Sequence, residues 1–130
     1  MIVGIGADIC DVARIAGALE RQGDRFRNRI LSERELEAAR LSADDASFLA
    51  GRFAAKEACA KALGTGITER VRWRQIEIIP EQNGEPRLVL SEGARRRAAR
   101  LAGGWVRVRA HLSITHDESL AMAFVLIESI

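Results

Sequence analysis

Cysteine, lysine and long apolar runs are all scarce in this chain. Cys10 and Cys59 are its only cysteines, and both sit among apolar neighbours. A structural zinc site takes four ligands, which this pair cannot supply, so both read as reduced core thiols. No apolar run reaches the roughly 18 residues that a membrane helix needs, so a membrane partner is not expected. The opening residues, Met1 to Asp8, have no basic region and meet an acid early. That is unlike a secretory signal, and the expected location is the cytoplasm. Repeats, low-complexity stretches and a linker are lacking too. The 130 residues suit one compact domain, 1–130, with a core of its own. Large net charge is also missing: the balance is +2. Nucleic-acid binding is therefore not favoured, since no helix-turn-helix or aromatic stacking platform accompanies the arginines.

What is present is ordinary in bulk and particular in detail. Hydrophobic residues make up 48% and charged residues 29%, as in a globular domain. Of the 20 cationic residues, 18 are arginine, a side chain suited to paired recognition of carboxylates and phosphates. The two lysines, Lys56 and Lys61, fall in one segment beside Glu57.

Hydrophobic spacing predicts a buried strand over Ile2 to Ile9. Asp11 is placed to cap a helix from Val12 to about Gln22, which Gly23 ends. An arginine-rich piece follows, with Arg25, Arg27 and Arg29 around Phe26. Ser32 and Glu35 form a capping box for a helix from Glu33 to about Arg40. Asp44 or Asp45 opens the longest helical pattern, which runs to Leu63 and stops at Gly64. Strands are expected over Arg72 to Ile79 and Arg87 to Leu90, with Asn83-Gly84 turning between them. Ser91 is expected to cap a helix from Glu92 to about Ala102, with Arg95, Arg96, Arg97 and Arg100 outward. Val106 to Thr115 alternates apolar and polar residues as a half-buried strand, and Leu120 to Ile127 forms a last one. The class is α+β: a single domain with an antiparallel sheet packed against a long central helix.

Three stretches carry chemistry. Gly4-Ile5-Gly6-Ala7-Asp8 puts two glycines in a strand, which signals close approach by a backbone or a ligand. Asp8 at the strand's end is either a turn former or a metal ligand. In the long helix, Glu57 and Lys61 are four apart and share a face. They make either a surface ion pair or a phosphate site, with Glu57 on a magnesium ion and Lys61 on phosphate oxygens. Phe53, Ala54, Ala58, Cys59 and Leu63 around them favour burial, so these charges need a partner. Third, His111, Ser113 and Thr115 share one face of a strand and can line a ligand groove. No nucleophile elbow surrounds Ser113, and His111 and His116 fall on opposite sides of the strand. A Ser–His hydrolase and a two-histidine zinc site are both poor fits.

These blocks, Gly4 to Ile9, Arg52 to Gly66 and His111 to Asp117, match in order and spacing one known family. The chain resembles holo-(acyl-carrier-protein) synthases, the short type of 4′-phosphopantetheinyl transferase, from Met1 to nearly Ile130. The resemblance implies that fold and a magnesium-dependent transfer. The 4′-phosphopantetheine group of coenzyme A would pass to a serine of an acidic apo acyl carrier protein, or of a carrier domain in a larger synthase. Adenosine 3′,5′-bisphosphate would leave, in support of fatty acid biosynthesis. It implies Asp8, Glu57 and Lys61 as catalytic residues, with Asp8 and Glu57 on the metal and Lys61 on the phosphates. Arg52, Gly64, His111 and Ser113 would neighbour the nucleotide, and Arg14, Arg21 and Arg25 would dock the carrier. It further implies a homotrimer with active sites between subunits. The proton acceptor is either Asp8 or a water on the metal. The acceptor serine belongs to the partner, which agrees with the lack of an enzyme nucleophile. Two rivals stay open: a non-catalytic subunit binding coenzyme A or nucleic acid, and a structural subunit in which Glu57 and Lys61 are an interfacial pair.

Overall fold

In the computed structural model, which describes residues 1–39, 42 and 45–130, the chain begins with a strand that outruns its expected length. Strand β1 spans Ile2–Asp11, so Asp8 lies within it, opposite Ala123, and not at its end. The sequence pattern misses the last residues because Asp8 and Asp11 break the apolar run, whereas the neighbouring strand supplies hydrogen bonds regardless of side chain. Asp11 does cap the next helix, its carboxylate accepting from the Ala13 N–H at 3.0 Å. That helix, α1, covers Val12–Gln22, and Gly23 ends it with φ of 55°. The arginine-rich piece is itself a helix, α2 (Asp24–Ile30), because Phe26 and Ile30 sit four apart and bury together. The capping box forms in both directions. Ser32 N–H donates to Glu35 Oε1 at 2.9 Å, and Glu35 N–H to Ser32 Oγ at 3.2 Å. It opens α3, Glu33–Ala39; the expected end at Arg40 and the alternative cap Asp44 lie outside the described residues.

Asp45 caps the long helix α4, Ala46–Ala62, by accepting from Ser47 and Phe48 N–H groups at 2.8 and 3.3 Å. Its 17 residues span ~26 Å. Leu63 closes it and Gly64 follows with φ of 80°, the left-handed conformation that a helix stop favours.

Helix α4 lies on an antiparallel sheet in the order β1-β5-β4, where β4 is Val108–His116 and β5 is Leu120–Ser129. A second antiparallel pair, β2 (Ile76–Pro80) and β3 (Pro86–Leu90), forms its own ladder, with β3 packed beside β4. Two expected strands therefore start late. Trp73–Gln75 and Trp105–Arg107 are short 3-10 turns, because β3 ends at Leu90 opposite Ile76 and β5 pairs Ser129 with Val108. Without a partner, earlier residues cannot join a ladder. Helix α5, Glu92–Ala102, begins after Ser91, but the Ser91 hydroxyl makes no cap. Gln75 Oε1 takes the Ala94 N–H at 3.2 Å instead.

The glycine signal in β1 is resolved as a close backbone approach. A Cβ on Gly4 would fall 2.0 Å from the Ala62 carbonyl oxygen, and one on Gly6 2.0 Å from that of Ala58. The alanine-rich side of α4 thus rests directly on β1. The core continues through Ala121, Ala123, Val125 and Ile127 of β5.

Candidate active site

From Gly4 onward the even-numbered residues of β1 face α4, and Gly6 and Cys10, on either side of Asp8, are both buried. Asp8 is carried along this row to a place where the helix offers charged side chains. Lys61 Nζ donates to Asp8 Oδ1 at 2.9 Å and to the Ala7 carbonyl at 3.1 Å. Lys61 therefore turns to the strand and not to Glu57, one turn back on its own helix. Glu57, half-buried, accepts a hydrogen bond from the Trp73 indole N–H at 3.3 Å. The Cys10 thiol feels both carboxylates. Burial pushes it up, Arg14 opposes that, and Asp8, Asp11 and Glu57 push it further up. A shallow depression of about 290 Å³ opens beside Lys61, lined by Ala7, Asp8, Ile9 and Met122.

Asp8 and Lys61 thus meet across the β1–α4 contact, and Glu57 lies one turn back on the same face of the helix. The other expected site residues lie elsewhere in the chain. Arg52 is half a turn of direction away from Lys61, since nine residues at 100° amount to about 180°. Its guanidinium lies 4.5 Å above the Phe48 ring. Burial lowers its pKa and the Glu35 carboxylate raises it. Gly64 sits at the far end of α4, where Arg97 Nε donates to the Leu63 carbonyl at 2.8 Å. Arg97 is therefore half-buried and not turned outward with Arg95, Arg96 and Arg100. His111 and Ser113 lie on the outer face of β4, with β5 between them and β1. His111 Nε2 pairs with Glu128 and holds that carboxyl below its usual range. His116 points the other way, its Nε2 lying 3.2 Å from the Ser47 carbonyl.

Arg14, Arg21 and Arg25 are exposed on α1 and α2. Arg14 and Arg21 are seven apart on α1 and share a face. Arg14 also lies 5.6 Å over the Phe53 ring, which packs against Trp73 with centroids 6.1 Å apart. Trp73 is the site neighbour that the sequence alone did not reveal. It lies sixteen residues beyond Glu57, in a turn that periodicity reads as strand. Its only advance signal is that tryptophan is rare here, with two in the chain.

Among the described residues no group of three or more His, Cys, Asp or Glu is gathered as for a protein-only metal cage. Two carboxylates are a sufficient protein contribution for magnesium, which keeps waters and takes substrate phosphates. Asp8 and Glu57 supply such hard oxygens, and Lys61 adds a cation that a polyphosphate would attract.

Residues 4–124 match the family model described as the 4′-phosphopantetheinyl transferase superfamily. The chain belongs to this superfamily. Two curated relatives, both holo-[acyl-carrier-protein] synthases, align with all of it. One, from Methylobacterium radiotolerans, is 48% identical over 130 residues and 96% of its own length is covered. Another, from Methylorubrum extorquens, is 46% identical with the same coverage of 96%. Among solved structures, a holo-(acyl-carrier-protein) synthase of Bacillus anthracis in complex with CoA (3′,5′-ADP) is 39% identical. It superposes with a TM-score of 0.79, covering 100% of this chain and 99% of that one. The holo-[acyl-carrier-protein] synthase of Neisseria meningitidis gives a TM-score of 0.87 at 36% identity, covering 99% and 100%. As a 4′-phosphopantetheinyl transferase the chain has the α+β fold expected from its sequence, and no described helix is long and apolar enough to cross a membrane.

Proposed function

We propose that Asp8, Glu57 and Lys61 carry the transfer of 4′-phosphopantetheine from coenzyme A to a serine of apo acyl carrier protein. The observation behind this reading is the Lys61–Asp8 contact of 2.9 Å across the β1–α4 seam, with Glu57 one turn away on the same helix face. In the reaction the serine oxygen bonds to the phosphorus that bears pantetheine. The bond from that phosphorus to the bridging oxygen breaks, and adenosine 3′,5′-bisphosphate leaves with the electron pair. Asp8 and Glu57 would hold a magnesium ion, which when bound supplies Lewis-acid polarisation of the pyrophosphate. Lys61, 53% exposed at its side chain, can leave Asp8 and neutralise charge on the phosphates. The serine proton would pass to Asp8 or to a water on the metal.

Arg14, Arg21 and Arg25 present positive charge on the outside of α1 and α2, with Arg14 over Phe53 of α4. An acidic carrier would be steered there, with charge setting encounter rate and orientation more than affinity. Ile5, Ile9, Met122 and Phe124 leave an apolar outer face on the sheet, being 59%, 59%, 46% and 40% exposed. A homotrimer would cover that face, and a neighbour could then bring His111 and Ser113 to the nucleotide. Arg52 and Gly64 are assigned to nucleotide binding only by resemblance. The two unpaired buried thiols suit a cytoplasmic setting.

The test is the intact mass of an apo carrier protein incubated with the enzyme, coenzyme A and magnesium. One added phosphopantetheine is expected, lost with chelator and with Asp8→Ala or Glu57→Ala. In the same assay Arg14→Glu should raise the KM for the carrier far more than that for coenzyme A. Equal effects would remove the docking role, and full transfer by both carboxylate variants would remove the metal site.

A further inference from the structure

Glu57 is held by a chain of contacts that begins in the core. Lys56 is fully buried, and its Nζ donates to Glu35 Oε1 at 2.6 Å and to the Trp73 carbonyl at 2.9 Å. That second bond pins the main chain of the Trp73–Gln75 turn. The turn is closed from its other end, where Gln75 Oε1 accepts the Arg72 N–H at 3.2 Å. Phe53 covers the indole, with ring planes inclined at 31° and centroids 6.1 Å apart. So fixed, the indole donates its N–H to Glu57 Oε1. Glu57 Oε2 makes no hydrogen bond with any described residue, which leaves one oxygen of an oriented carboxylate open to a cation.

We propose that Trp73 is a positioning residue for the metal carboxylate, its indole N–H setting the direction in which Glu57 presents its free oxygen. This rests on the reading of Glu57 as a magnesium ligand. The physical reason is entropy and orientation. A free glutamate loses rotamer freedom when it is fixed. One that is already hydrogen-bonded has lost part of that before the ion arrives. Groups that orient metal ligands in this way typically change affinity ~10–100-fold when removed. A bond of 3.3 Å to a charged acceptor is longer than the usual range, so the lower figure is expected here.

The experiment counts free manganese by electron paramagnetic resonance while the protein is titrated with Mn²⁺ in the presence of coenzyme A. Trp73→Phe keeps a ring against Phe53 and deletes the donor. Benzothienylalanine at position 73 keeps the whole indole shape and replaces N–H by sulfur, in case phenylalanine disturbs folding. Both should bind Mn²⁺ ~10-fold more weakly. In turnover, the half-saturating magnesium concentration should rise by the same factor, while the KM for carrier at saturating metal stays within about twofold. Mn²⁺ affinity within twofold of the parent protein in the benzothienylalanine variant overturns the proposal. Glu57→Gln is the control on the underlying reading. If it too binds Mn²⁺ like the parent, Glu57 is not a ligand and the role of Trp73 falls with it.

Discussion

A lysine ammonium with no exposed surface is held only by what it touches, and Lys56 shows how many groups that takes. Burial lowers its pKa, while Glu35, through its charge and its hydrogen bond, pulls it back up. Glu35 in turn accepts the Ile78 N–H at 3.0 Å besides that of Ser32. Removing one member of such a pair strands the other, a change that typically costs about 3–5 kcal/mol. Lys56→Met is therefore expected to lower the stability measured by urea unfolding by that amount. Adding Glu35→Leu should recover only part of the loss, since the Ser32 and Ile78 N–H groups then lack an acceptor. Full recovery in the double variant would mean that those backbone bonds contribute little. The sequence marked Lys56 as one of two lysines and Glu35 as a capping residue. That one carboxylate does both jobs could not be read from it, because the two residues lie 21 apart and meet only through α3 and α4 packing.

At the scale of elements, the seam between β1 and α4 organises the molecule. Glycines on the strand and alanines on the helix let the two backbones touch, and this brings Asp8 within reach of Lys61. Gly6→Ala places a Cβ 2.0 Å from a main-chain carbonyl oxygen, which no side-chain rotation relieves. Overpacking of this kind costs about 1–3 kcal/mol or more. The variant should melt clearly below the parent by circular dichroism and lose transfer activity with it. An unchanged melting temperature would show that the seam can open without loss. Helix limits were legible, because caps such as Asp11, Asp45 and the Ser32–Glu35 box are local. Strand limits were less so. The turns at Trp73–Gln75 and Trp105–Arg107 exist because the partner strands stop short, and a partner's length is not written in the residues that lack it.

At the scale of the whole molecule, the sheet has one face covered by α4 and one bare. Apolar side chains on the bare face are costly to leave in water, at roughly 25 cal/mol per Å². The face also separates Asp8 from His111 and Ser113, which no single chain brings together. Phe124→Asp sets a charge at its centre. For the homotrimer proposed above, light scattering is expected to read the variant as a monomer, and the KM for coenzyme A should rise. An unchanged mass with unchanged kinetics would mean that this face is not the interface.

The sequence by itself determined the fold class, the family and the caps at Asp11, Asp45 and Ser32–Glu35, since each is encoded by residue type at short spacing, whereas the cap expected from Ser91 does not form. Tertiary structure decided the rest. It decided that Lys61 pairs with Asp8 and not with Glu57, that Arg52 faces Phe48 and Glu35, and that a tryptophan from a distant turn holds the Glu57 carboxylate. Those outcomes depend on which surfaces pack together. Packing follows from the volumes and hydrogen-bond needs of residues far apart in the chain, and no local pattern records it.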